Sequence, residues 1–340
     1  MPAPVAVRRY RPLPALSYGE AAERAIEVDQ TNFSVVAGER VVVKWIIPPA
    51  PLPHPAPEVL GHLVEAGFNE TAPPYAAVTV GDHLVALVTG FLPGARDGWE
   101  WCVDFAESGE TAFAPVLGHL AAGLHLALAT LPVEPAPETP PGARPRPPDD
   151  ARRAAEALRE ALELTDGDDG DWLAGRAETM RRELAGLEHA VEDRRIRIHG
   201  DFHVGQILQW DGGYAVIDFD GNPTVSEPGA ARQPAARDVA QLTTSLEHVA
   251  QVAVLRRGTP PEAAATWARE AREKFLAAYR ERAGDLLDER LIRPFEVEQE
   301  CRELIYAARH LPRWRYAPMG VLRTWYPDDP DDPAPVEETP

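Results

Sequence analysis

Cysteine is nearly absent: Cys102 and Cys301 are the only two in 340 residues, and they lie far apart in the chain. That leaves no basis for a disulfide framework, and a cysteine-based zinc site is excluded. Basic residues are outnumbered, 34 against 54 acidic ones, and the formal charge of −20 argues against nonspecific nucleic-acid binding and against docking on an anionic membrane. No apolar run approaches the roughly 20 residues of a membrane span. The opening "MPAPVAVRRYRPLPAL" lacks the apolar core of a secretory signal. A soluble, cytoplasmic protein is expected, with an acidic balance that favours a cationic small molecule as its partner. A glycine-rich phosphate loop is also missing, since "TNFSVVAGERV" holds a single glycine. Thr31, Asn32 and Ser34 are the polar groups left to take its place.

What is present divides in two. The first ninety residues alternate like strands: "FSVVAG" and "ERVVVKWII" form a hairpin pattern around Gly38, and "YAAVTVG" and "HLVALVTGFL" return to it. Between them "PEVLGHLVEAGF" has Leu60, Leu63 and Val64 at helical spacing and stops at Gly67. Beyond "FLPGARDGWEW" most of the chain is helical in pattern, with Leu117, Leu120, Leu124 and Leu128 on one face. Further helices are expected near 150–164, 171–192, 234–254, 262–282 and 294–310. The Pro-rich stretch 132–150 reads as an exposed loop, and the acidic, Pro-rich 327–340 as a disordered tail. The expected architecture is α+β and bilobal: a β-rich lobe over residues 1–90, then a hinge and a mainly helical lobe over 91–326.

One strand-like interruption of the helical part concentrates the chemistry. "IHGDFHVGQILQWDGGYAVIDFDGNP" (Ile198–Pro223) holds two histidines, four aspartates and two glutamines around a turn at Asp211-Gly212-Gly213. That turn brings the loop at Asp201 near Asp218 at the end of the last strand. Phosphoryl transfer to an alcohol needs a carboxylate to accept the hydroxyl proton and oxygen ligands to hold Mg²⁺ on the nucleotide phosphates. Mg²⁺ prefers carboxylate and amide oxygens to imidazole. Asp201 suits the base; Gln206 and Asp218, with Asp220 as a possible fourth group, suit the metal. His199 and His203 invite a metallohydrolase reading, but the other histidines repeat no ligand spacing. His203, two residues beyond the base, is a candidate to touch the acceptor.

The pattern His199-x-Asp201-x(4)-Gln206 followed by Ile217-Asp218-Phe219 resembles the aminoglycoside-phosphotransferase-like branch of the protein-kinase fold, with Gln where that branch usually has Asn. "HGDFHVGQ" and "DFDGNP" are similar to the motifs of bacterial maltokinases. So are "QTNFSVV…VVVKW", "DGW", "RDVA" and the late Glu298, Glu303, Tyr306, Arg309, Pro312 and Trp314. Within that group the chain looks closer to actinobacterial glucosamine kinases, because Arg302 and Ala307 depart from the maltokinase pattern. The resemblance implies ATP and Mg²⁺ as cofactors, Asp201 as base, and transfer to O6 of glucosamine. A maltokinase, an aminoglycoside phosphotransferase and a catalytically silent pseudokinase remain alternatives; against the last, both the base and the metal aspartate are present.

Lys44, in "VVVKW", is the candidate for the nucleotide phosphates, against a plain exposed strand lysine. Glu58 is its expected ion-pair partner, with Glu65 as rival. Phe91 opens the segment whose backbone would bond adenine. On the late helix Glu296, Glu300 and Glu303 share a face through i+4 and i+3 steps, a repulsive arrangement unless a cation compensates it. A substrate ammonium at Glu300 and Glu303 would do so; the alternative is a solvated face answered by Arg302 or Arg309. Trp314 is either a platform for a sugar ring or part of the core.

Overall fold

The structure is a computed structural model that describes residues 3–15, 23–26, 33–132, 150–191, 193–221 and 232–327. Thr31 and Asn32, nearly all of the Pro-rich loop, Asn222 and Pro223, and the tail from residue 328 lie outside the described residues. Strands β1 (Val5–Arg9), β2 (Glu23–Ala25), β3 (Phe33–Ala37), β4 (Val41–Pro51), β5 (Pro74–Val80) and β6 (His83–Gly90) form one antiparallel sheet in the order β1-β5-β6-β4-β3-β2. The β-branched alternation in β3 and β4 produces the hairpin at Gly38 and sets Ser34 opposite Lys44. Helix α1 (Pro55–Glu65) crosses one face of this sheet; its Leu60 and Leu63 join Ile46, Leu84 and Leu87 in the core.

After β6 the chain becomes helical: α2 (Gly98–Ser108), α3 (Phe113–Ala129), α4 (Asp150–Leu164) and α5 (Gly167–Leu184). The short strands β7 (Arg195–Ile196), β8 (Ile207–Trp210), β9 (Gly213–Val216) and β10 (Gln233–Pro234) interrupt it, with β8 and β9 paired around the expected turn. Then come α6 (Ala236–Arg257), α7 (Pro261–Ala283), α8 (Ile292–His310) and α9 (Tyr316–Trp325). Leu117, Leu120, Leu124 and Leu128 of α3 are all buried, as their spacing predicts. Helix α3 lies so close to α7 that a Cβ at Gly118 would sit 2.3 Å from the Phe275 carbonyl oxygen. Among the described residues no helix is long and apolar enough to cross a membrane.

Two contacts carry the fold into the site. The start of α2 abuts the loop after Asp201, where a Cβ on Gly98 would stand 1.7 Å from the Val204 carbonyl oxygen; only glycine permits that approach. Trp101 of the same helix is fully buried and donates from Nε1 to the Ile207 carbonyl at 3.0 Å. In the α+β, two-lobed arrangement the β8–β9 hairpin packs against α2 and is bridged to Thr71 and Arg96 through Val216 and Gln209.

Candidate active site

The loop from His199 to Gln206 is fixed from below by one buried carboxylate. Asp238, at the start of α6, accepts from the backbone N–H of His199 at 2.7 Å and of Gly200 at 2.9 Å. His125 binds the same carboxylate at 3.0 Å and is itself 2.6 Å from the Tyr279 hydroxyl. Gly200 adopts φ +88°, a left-handed turn that glycine takes without strain. From above, His199 donates Nε2–H to the Ile217 carbonyl at 2.9 Å and accepts the Asp201 N–H on Nδ1 at 3.3 Å. His199 thus staples the loop to the strand end that carries Asp218.

Asp201 is held by neutral and weakly basic partners. Gln241 on α6 donates to Oδ1 at 2.9 Å, and Gln206 donates from its amide to Oδ2 at 3.4 Å. His203 Nε2 lies 3.7 Å from the same Oδ2, while its Nδ1 accepts the Gly205 N–H at 3.1 Å. Burial pushes the Asp201 carboxyl upward, but His203 and Gln241 outweigh it and leave Asp201 below the ordinary aspartate value. It is ionised at neutral pH, as a proton acceptor must be.

Lys44 reaches across from β4 and sits 2.7 Å from both Asp218 Oδ1 and Asp220 Oδ2. Burial alone would lower its pKa; the two carboxylates override that and raise it. Burial likewise works against ionisation of Asp218, yet the Lys44 charge holds it below its usual value. Asp218 has φ +63°, a conformation that costs a non-glycine residue about 1–3 kcal/mol. Such strain persists where the surroundings impose it, here between the His199 staple and the Lys44 pair. Asp220 Oδ1 is buried and has no hydrogen-bond partner among the described residues.

A cavity of about 380 Å³ is lined by Asp201, His203, Gln241, His248, Glu303 and Trp314. Trp314 lies edge-on to Trp99 with ring centroids 5.6 Å apart. Glu303 accepts from Trp314 Nε1 at 2.8 Å and from Gln299 Nε2 at 3.0 Å. Among the described residues no lysine or arginine pairs with Glu303: Arg302 is drawn to Glu298 at 2.6 Å and Arg309 to Glu160 at 2.5 Å.

Of the residues singled out in the sequence, Asp201, Gln206, His203, Glu303 and Trp314 gather around or beside this cavity, and Lys44, Asp218 and Asp220 form the adjoining charged cluster. Three expectations are corrected. Glu58 is solvent-exposed on α1, and the ion pairs of Lys44 go to Asp218 and Asp220 instead, because the hairpin brings those carboxylates under β4. The Phe91 N–H is taken by the Arg40 carbonyl at 2.9 Å, extending the sheet, so that amide is not a free donor for a base. Glu300 is fully buried and lies behind the cavity wall, 3.0 Å from His248 Nε2. Glu296, on the same face, is answered by Arg272 at 2.9 Å and Thr243 at 2.8 Å.

Gln241, Ser245 and His248, which also line the cavity, were not anticipated. Their signal is a polar stripe: Asp238, Gln241, Ser245 and His248 recur at steps of 3, 4 and 3 along a helix that is buried on nearly every side. A buried helix gains nothing from such a stripe unless the polar groups have partners.

Comparison with known proteins places this geometry. Residues 22–221 match the model of the phosphotransferase enzyme family, APH. A glucosamine kinase of Streptacidiphilus jiangxiensis is 41% identical over 331 residues, covering 90% of this chain and 74% of that protein. A glucosamine kinase of Mycolicibacterium smegmatis is 39% identical over 326 residues, covering 88% of this chain and 78% of that protein. The solved structure of a glucosamine kinase in complex with glucosamine, ADP and inorganic phosphate superposes with a TM-score of 0.79 at 36% identity, over 95% of this chain and 79% of that one.

Proposed function

Because the chain belongs to the phosphotransferase enzyme family, we propose that it transfers the γ-phosphoryl group of ATP to D-glucosamine, at O6, giving glucosamine 6-phosphate. The observation that carries the acceptor is Glu303. It is a carboxylate in the wall of a sugar-sized cavity, steadied by two neutral donors and lacking a cationic partner among the described residues. A substrate ammonium completes it. A hydrogen bond to a charged group contributes about 1.5–3 kcal/mol, enough to prefer an amino sugar over its hydroxyl analogue by roughly 10- to 150-fold.

The remaining groups divide the work. Trp314, braced by Trp99, offers a flat apolar wall to the sugar ring. Asp201, which lines the same cavity, takes the proton of the attacking hydroxyl, and Gln241 fixes the orientation of its carboxylate. Lys44 is placed to engage the nucleotide phosphates as a point charge, exchanging carboxylate partners for phosphate. Asp218, Asp220 and the side-chain oxygen of Gln206 form an all-oxygen donor set, and the orphaned Asp220 Oδ1 fits a divalent cation. Among the described residues no three His, Cys, Asp or Glu side chains make a metal site on their own. That accords with Mg²⁺, which keeps one or two carboxylates and shares the rest of its shell with phosphate and water. When bound, Mg²⁺ supplies positive charge to the phosphate oxygens.

ATP turnover by the purified protein, measured with glucosamine, glucose, N-acetylglucosamine, maltose and kanamycin, tests this reading. Glucosamine should give the highest kcat/KM. Equal values for glucose and glucosamine would remove the amine contact, and no sugar-dependent turnover at all would remove the kinase reading.

A further inference from the structure

His248 stands in the cavity wall, yet only 3% of its surface is exposed. Its Nε2 is 3.0 Å from Oε2 of Glu300, a fully buried carboxyl whose other oxygen has no hydrogen-bond partner among the described residues. The charged groups that bear on this pair are Glu247 from α6 and Glu303 from α8; the edge of Trp314 closes it off, with ring centroids 5.5 Å apart. A buried carboxylate with one oxygen unanswered and two further acids nearby requires a proton or a cation beside it. Burial accordingly pushes Glu300 up to about 7; it would also lower His248, but the Glu300 charge overrides it and raises His248.

The pair therefore shares one proton beyond the single N–H of a neutral ring. If that proton is on the ring, both ring nitrogens carry hydrogen. If it is on Glu300 Oε2, then Nε2 accepts it and the ring's own hydrogen is on Nδ1. In both states Nδ1 is a donor, and Nδ1 has no hydrogen-bond partner among the described residues.

We propose that His248 binds the acceptor sugar, donating from Nδ1 to one of its hydroxyl oxygens, and that Glu300 is the positioning residue that fixes this tautomer. The assignment rests on reading the cavity as the glucosamine site. It gives Glu300 a part in recognition through an imidazole rather than by contact with the amine.

Substitutions that keep one half of the imidazole decide the matter. His248→Asn retains a polar amide near the place of Nδ1, whereas His248→Gln retains one near Nε2, facing Glu300. Steady-state kinetics with ATP and glucosamine should show the KM for glucosamine raised roughly 2- to 13-fold in His248→Gln and His248→Phe, the range for one lost hydrogen bond. kcat and the KM for ATP should hold, and His248→Asn should recover most of the loss. A wild-type KM in His248→Gln would overturn the proposal, since the ring would then serve only Glu300. So would a fall in thermal midpoint and kcat with KM unmoved. Should His248→Phe fail to fold, the Asn and Gln variants still discriminate. Wild-type protein without glucosamine-dependent turnover would instead refute the acceptor assignment, and this proposal with it.

Discussion

The nucleotide side and the acceptor side of the site are both rich in carboxylates, but they handle charge in opposite ways. At the hairpin, Asp218 and Asp220 already hold a cation, the Lys44 ammonium, 2.7 Å from each. At the cavity, Glu303 is held by an indole and an amide and pairs with no lysine or arginine among the described residues. The first cluster already holds one cation and must exchange that partner when phosphates arrive. The second is short of positive charge and gains it when an amine arrives. A site for an anionic nucleotide and a cationic sugar is served by this difference: a mobile cation where phosphate binds, and a surplus of negative charge where the ammonium does.

Asp201 lies between the two, and its removal should have the largest effect. Asp201→Asn is expected to lower kcat by about 10²–10⁴-fold, the share of a general base, with ATP still binding in a direct titration. Turnover within a factor of ten of wild type would assign the base elsewhere. On the paired side, Lys44→Met should raise the KM for ATP by roughly 10- to 100-fold, the scale of charge-assisted hydrogen bonds to phosphate. It should leave the KM for glucosamine within about two-fold. If the sugar's KM moved instead, the division into a nucleotide cluster and an acceptor cluster would collapse.

How much of this was legible in sequence follows from how far apart the partners lie. Asp201, Gln206, Asp218 and Asp220 were readable because one hairpin of local sequence brings them together. Lys44 was readable from its strand, but its partners lie 174 and 176 residues away, whereas Glu58 is only nearby in sequence. The shared face of Glu296, Glu300 and Glu303 was also correctly read from helical spacing. Which of the three is left without a cation is decided by α6 and α7, which bring Thr243 and His248, and Arg272, against α8; no spacing within α8 encodes that. The polar stripe of α6 was visible in "RDVAQLTTSLEH" but carries meaning only once the helix is known to be buried.

On the acceptor side, Glu303→Gln keeps the shape and can keep one of the two neutral donors on its amide oxygen while removing the charge. The kcat/KM ratio of glucosamine over glucose should fall by roughly 10- to 150-fold, chiefly through the KM for glucosamine, with activity on glucose little changed. Preserved discrimination would mean that the ammonium is read by another group, and the contrast between the two clusters would lose its functional sense.

The smallest expected effect bears on the cost of that surplus charge. Glu247 neighbours His248 on α6, and burial, with Glu296 nearby, pushes it up to about 7 from an ordinary 4.5. Between those values the unfolded chain has released this proton while the folded protein keeps it. Stability therefore falls as pH rises from about 4.5 to about 7 and stays lower beyond. Glu247→Gln has no such proton to lose. It should match wild type in thermal midpoint at pH 4 and exceed it by about 2–4 °C at pH 8, on the scale of 1 kcal/mol for a protein of a few hundred residues. An equal gain at both pH values would trace the effect to packing, whereas a gain confined to pH 8 measures the cost of ionising a buried acid next to the acceptor wall.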